Sequence, residues 1–138
     1  MKFKYKNYGY GVIRPVIPIE IIYNNIPVSY EVLIDSGADV CIFDSQIGEI
    51  LGIDIASGEK EEVWGITGYG EPYYLHPVTI KVGGWSYEIK AGFLPNIAKL
   101  GYGIVGQKGF FNLFEIKFNH LKEEIELRSI VTPKIFTK

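Results

Sequence analysis

The chain is poor in several residue types that carry specialised chemistry. Its 138 residues include one cysteine, one methionine and two histidines. A single thiol, Cys41, excludes an internal disulfide framework. His76 and His120 belong to no His-Glu-x-x-His or Cys/His cluster, so no metal site is expected. No apolar run approaches the roughly 18–20 residues of a membrane span. The basic, aromatic start, Met1 to Tyr10, is not followed by the roughly 7–15 apolar residues of a secretion signal. A formal net charge of −2 lacks the basic excess of a nucleic-acid binder. No phosphate-loop Gly-Lys-Ser/Thr is present. Gly9-x-Gly11 and Gly68-x-Gly70 lack the pattern that follows in dinucleotide sites, so no cofactor is expected. These absences lead us to expect a cytoplasmic protein with neither membrane nor nucleic acid as partner. No linker, repeat or low-complexity tract interrupts the chain, and residues 1–138 read as one domain.

What is abundant is strand-forming. Apolar residues make up 47%, with ten Tyr, eight Phe and recurrent Ile and Val, and 16 Gly punctuate them. Val16 to Tyr23 and Val28 to Ile34 read as strands joined at Asn24-Asn25. A short strand is expected over Val40 to Phe43. Asp44 or Ser45 then caps a short helix carrying Ile47, Ile50 and Leu51 and stopped at Gly52. Glu59 to Ile66 and Tyr73 to Val82 flank a glycine-rich tip. Gly83-Gly84 suits a tight hairpin returning through Trp85 to Phe93. Ile104-Val105-Gly106 reads as a short strand, and Gln107 to Leu113 as one or two helical turns. Alternation over Phe114, Ile116 and Phe118, and over Ile125 and Leu127, predicts two half-buried strands, with Leu121-Lys122 in the connection. The aromatic start, with Phe3, Tyr5, Tyr8 and Tyr10, reads as strand or interface.

One carboxylate stands apart. Asp35 directly follows the apolar run Val32-Leu33-Ile34 and precedes Val40-Cys41-Ile42-Phe43. A charge near the core must be hydrogen-bonded, paired or protonated. Gly37 tolerates unusual dihedrals and lets backbone N–H groups approach, and the Ser36 hydroxyl can donate or accept. A bare Asp-Ser-Gly is most often a surface turn. Its tight seat between apolar strands argues against that here.

Leu33-Ile34-Asp35-Ser36-Gly37-Ala38 resembles the active-site loop of the retropepsin-like aspartic proteases. Ile104-Val105-Gly106, about 70 residues on, resembles the family's second landmark, which supports the active site. The tip Trp64, Gly65, Ile66, Thr67, Gly68, Tyr69 and Gly70 resembles the flap that closes over substrate. The likeness spans roughly Pro27 to Leu127. Ser36 replaces the commoner Thr, and Gln107 stands where viral members often carry Arg or Asn. The resemblance implies an all-β, closed-barrel-like acid-protease fold with one or two short helices, and Asp35 as the catalytic residue.

Aspartic-protease chemistry needs two carboxylates around one water, one taking a proton and one donating. The motif occurs once, and Asp39, Asp44 and Asp54 are poorly placed to complete it. The second carboxylate is therefore expected from a second copy of the chain, with a polypeptide as substrate. Whether Val131 to Phe136 joins such an interface is open. The competing reading is a peptide-binding or scaffold domain of the same fold without turnover. Cys41, with no activating His nearby, reads as a small core residue.

Overall fold

Two tight turns shape the central sheet. A computed structural model of the chain describes residues 1–64, 70–95, 97 and 101–133, the side chains of Val63 and Trp64 excepted. Asn24 and Asn25 have φ of 47° and 64°, and Gly83 and Gly84 have 57° and 87°. Positive φ at both central residues matches the right-handed twist of the flanking strands. The first turn joins β4 (Val16–Tyr23) to β5 (Ile26–Ile34), and the second joins β8 (Gly70–Val82) to β9 (Trp85–Leu94).

Between these hairpins run β6 (Cys41–Asp44), α1 (Ser45–Ile50) and β7 (Glu59–Trp64), and β10 (Gly103–Val105) follows them. The helix starts as the sequence predicts: Asp44 accepts a hydrogen bond from the Gln46 amide (2.8 Å). The strand order is β4-β5-β10-β6-β9-β8-β7, and β4 also pairs with β8 through Ile21 and Ile80. Six strands thus close into a barrel, with β7 attached outside along β8. Pairing is antiparallel except at β5–β10 and β6–β9.

Three strands form a second sheet in the order β1 (Lys2–Lys4), β12 (Glu124–Ser129), β11 (Phe114–Asn119). Its inner residues Phe114, Ile125 and Leu127 join the core. Its outer face is charged: Lys4 meets Glu124 at 3.2 Å, and Arg128 pairs with Glu115. A third pair, β2 (Lys6–Asn7) and β3 (Ile13–Arg14), is a small hairpin ahead of β4.

The core fills the barrel. Phe43 is fully buried, edge-on to Tyr30 (5.7 Å) and Phe93 (5.9 Å). Cys41 is fully buried, as expected of a core thiol. His76 also packs inside, edge-on to Phe93, with Nε2 2.7 Å from the Ile55 carbonyl. The helical turns expected over Gln107 to Leu113 do not form. These residues make turns around a parallel bridge from Lys108 to Val40, and Gly109 has φ of 100°, which no right-handed helix accommodates. Among the described residues, no helix is long and apolar enough to cross a membrane.

Candidate active site

Alternation along β5 separates two faces. Val32 and Ile34 point into the core, while Glu31 and Leu33 point outward, and Asp35 continues the outward row. On β10, Val105 is core and Ile104 faces out beside Leu33. On β6, Cys41 and Phe43 are core, and Ile42 lies outside opposite Ile104. Ile42 packs with Tyr73 and Leu94 in a second apolar cluster, joined by Val40, Leu75 and Ile97. Asp35 therefore stands on an outer face with an apolar patch to one side.

The Asp35 loop joins β5 to β6, and β10 lies between those two strands. The loop must cross the end of β10, and the hydrogen bonds show how. The Asp35 amide donates to the Val105 carbonyl (3.0 Å), and the Ala38 amide to the Asp35 carbonyl (3.2 Å). The amides of Gln107 and Lys108 donate to the carbonyls of Ala38 and Asp39, each at 2.9 Å. The Gln107 side-chain amide donates to the Ser36 carbonyl (2.9 Å). A Cβ on Gly106 would lie 2.5 Å from the carbonyl oxygens of both Ala38 and Val40. Only glycine lets the crossing close this tightly.

The Gly37 amide donates to Asp35 Oδ1 (2.9 Å). Gly37 is not at positive φ, so conformational freedom is not its reason here. A Cβ would meet Asp35 Oδ1 at 3.3 Å, so a side chain here would press on the carboxylate by a few tenths of an ångström. Asp35 and Ala38 are half-buried, Ser36 and Gly37 exposed. The carboxylate is thus nearer solvent in the single chain than its place after an apolar run suggests. It has no cationic partner among the described residues.

The three landmarks read from the sequence fare differently. Asp35, Ser36, Gly37 and Ala38 meet Ile104, Val105 and Gly106 in one braced unit. Of the flap residues, Gly70 opens β8 and pairs with Trp64 at the end of the β7–β8 ladder. Gly65, Ile66, Thr67, Gly68 and Tyr69 lie outside the described residues. Sequence reasoning missed Gln107 as a brace and the cluster around Ile42, Tyr73 and Leu94. The cluster could have been found by noticing that Cys41-Ile42-Phe43 and Ala91 to Leu94 carry no polar side chain and do not alternate, as segments covered on both faces do not.

No protein-family model and no curated protein sequence matches the chain. Solved structures do. A retropepsin-like aspartic protease from Rickettsia conorii aligns over 92% of this chain and 89% of that one, at 14% identity and a TM-score of 0.63. EIAV protease, solved with the inhibitor HBY-793, aligns over 74% of this chain and 88% of that one, at 24% identity and a TM-score of 0.47. The closed barrel, the loop crossing at Gly106 and the Rickettsia alignment together give the chain a retropepsin-like, all-β acid-protease fold.

Proposed function

We propose that the chain is an aspartic endopeptidase, active as a homodimer in which each copy supplies one Asp35. The observation that carries this reading is the braced loop with an accessible carboxylate. Five hydrogen bonds and the Gly106 crossing fix the backbone around Asp35, yet the residue is only half-buried and has no cationic partner among the described residues. A purely structural carboxylate in so rigid a setting would be expected to pair.

Around a two-fold axis, two such carboxylates hold one proton between them, because both cannot easily ionise in contact. The ionised one takes a proton from the attacking water. The protonated one donates to the substrate carbonyl oxygen as the tetrahedral intermediate forms. The Gly37 amide keeps Asp35 in orientation. An extended peptide would lie across the outer face, its apolar side chains against the cluster of Ile42, Tyr73 and Leu94. The tip Gly65 to Gly70 would close over it and add main-chain hydrogen bonds.

The test is cleavage of an unfolded polypeptide by the purified chain, with subunit mass measured at micromolar concentration. Asp35→Asn is expected to lower turnover by roughly 10²–10⁴-fold, and pepstatin-like transition-state mimics are expected to block it. Cleavage that survives Asp35→Asn, or full activity from a strict monomer, would sink the proposal. Peptide binding without any turnover would leave a binding domain of the same fold.

A further inference from the structure

The small hairpin β2–β3 has no place in the mechanism above, yet it is held on the face that bears Asp35. The Ile34 amide donates to the Pro15 carbonyl (3.0 Å), which sets the hairpin's root level with Asp35. Lys6 on β2 pairs with Glu31, an outward residue of β5. Tyr8 packs against Tyr102, ring centroids 6.2 Å apart. Gly103 pairs with Val32, so the register continues to place Tyr102 beside Glu31, in the outward row of Ile104.

The tip is built to present an aromatic ring. Gly9, Tyr10 and Gly11 have φ of 86°, 53° and 75°. For a bulky residue such as tyrosine the left-handed region is unfavourable, and strain of this kind points to a function. Tyr10 gains no packing in return: it is fully exposed, at 106% of its reference area. The turn is nevertheless well fixed. The Val12 amide donates to the Gly9 carbonyl (2.9 Å), the Tyr8 amide to the Val12 carbonyl (2.8 Å), and the Gly9 amide to Asn7 Oδ1 (2.7 Å). A separate groove of about 510 Å³, lined by Pro18, Glu20, Ser29, Glu31, Lys81 and Gly101 and not by Tyr8, Tyr10 or Tyr102, meets the hairpin's anchor at Glu31.

We infer that this hairpin is a specificity arm for the substrate. Resting on the peptidase reading, the inference names what that reading leaves open: Tyr8, Tyr10 and Tyr102 receive an aromatic side chain of the polypeptide, away from the bond being cut. Four residues separate Glu31 from Asp35, which at ~3.3 Å per strand residue is about 13 Å. An extended peptide covers that distance in three to four residues. The favoured substrate therefore carries Phe, Tyr or Trp three or four positions from the scissile bond. Tyrosine suits this role, offering a large, stiff contact surface at low entropic cost.

The experiment compares two peptides that differ only at that position, one aromatic and one alanine, built around a site mapped by mass spectrometry of a digested unfolded protein. The wild-type chain is expected to favour the aromatic peptide about fivefold in kcat/KM, the scale of one aromatic pair. Tyr8→Ser, and separately the fully exposed Tyr10→Ser, are expected to bring that ratio towards one through KM. A ratio of one in the wild type, or a ratio that survives both substitutions, overturns the inference. If the wild type cuts nothing, the peptidase reading fails by itself. Fluorescence anisotropy of two labelled extended peptides, alike except for one aromatic residue replaced by alanine, then decides the arm. Weaker aromatic-peptide binding by the tyrosine variants upholds it, and equal binding, or none by any chain, overturns it.

Discussion

The inner and outer faces of β5, β10 and β6 are made from alternate residues of the same short segments, yet they hold different chemistry. Inward, Val32, Ile34, Cys41, Phe43 and Val105 pack into the barrel core, none more than 4% exposed. Outward, Glu31, Leu33, Asp35, Tyr102 and Ile104 stay half-buried, and Ile42 opens the second apolar cluster. The contrast teaches a division of labour. The core fixes where the backbone runs, and the backbone in turn fixes where the carboxylate stands. Stability and reactivity meet at Gly106, where the loop crosses the strand.

The largest expected effect tests the inner face. Phe43→Ala should cost about 3–5 kcal/mol, as loss of a fully buried ring does, read from the urea midpoint and slope. Leu33→Ala, half-buried on the outer face, should cost clearly less. Equal costs would mean that the two faces are not separated. At the crossing, Gly106→Ala forces a Cβ into two backbone carbonyls and should cost about 1–3 kcal/mol. Unlike Phe43→Ala, it should also remove cleavage under conditions where the variant is still folded. An unperturbed midpoint would show that the crossing is looser than its geometry.

The smallest effect concerns protons in the core. Burial pushes the Cys41 thiol from 9.0 up to about 11, a Gly106 backbone hydrogen bond opposing the rise. Burial likewise pushes the Tyr30 phenol from 10.0 up to about 12. Both groups hold their protons more tightly folded than unfolded. Their contribution to stability is therefore complete below about pH 9 and drains away as pH rises towards 11, then 12. Urea midpoints measured from pH 8 upward should fall across that window, and Cys41→Ala should delay the onset. A flat profile would contradict the dry interior assigned to the inner face.

The turns and landmarks were legible in the sequence, but this division was not, because Val32-Leu33-Ile34 and Ile104-Val105 are apolar without alternation. The turns at Asn24-Asn25 and Gly83-Gly84 could be read because few other residues accept positive φ twice in succession. The helix start could be read from Asp44, a local signal. Asp35 and Gly106 were recognisable by resemblance, but the parallel β5–β10 pairing that joins them leaves no trace in hydrophobic period, since it links segments about 70 residues apart. Gln107 to Leu113 was expected to turn helically from its place after the Ile104-Val105-Gly106 landmark, while the positive φ at Gly109 decides otherwise. The arm was hidden for the opposite reason. Strands of two residues carry no period, and the value of Tyr8 and Tyr10 depends on a salt bridge and a ring contact made elsewhere in the chain.

β1 and β12 belong to one chain, and the register Phe3 to Ile125 stitches them edge to edge. Each protomer can therefore complete this sheet without borrowing a neighbour's strand. Dilution of the proposed dimer should then extinguish catalysis while circular dichroism stays unchanged, leaving intact, idle subunits. A cell could regulate the proposed dimer through its local concentration, with no unfolding of the subunits.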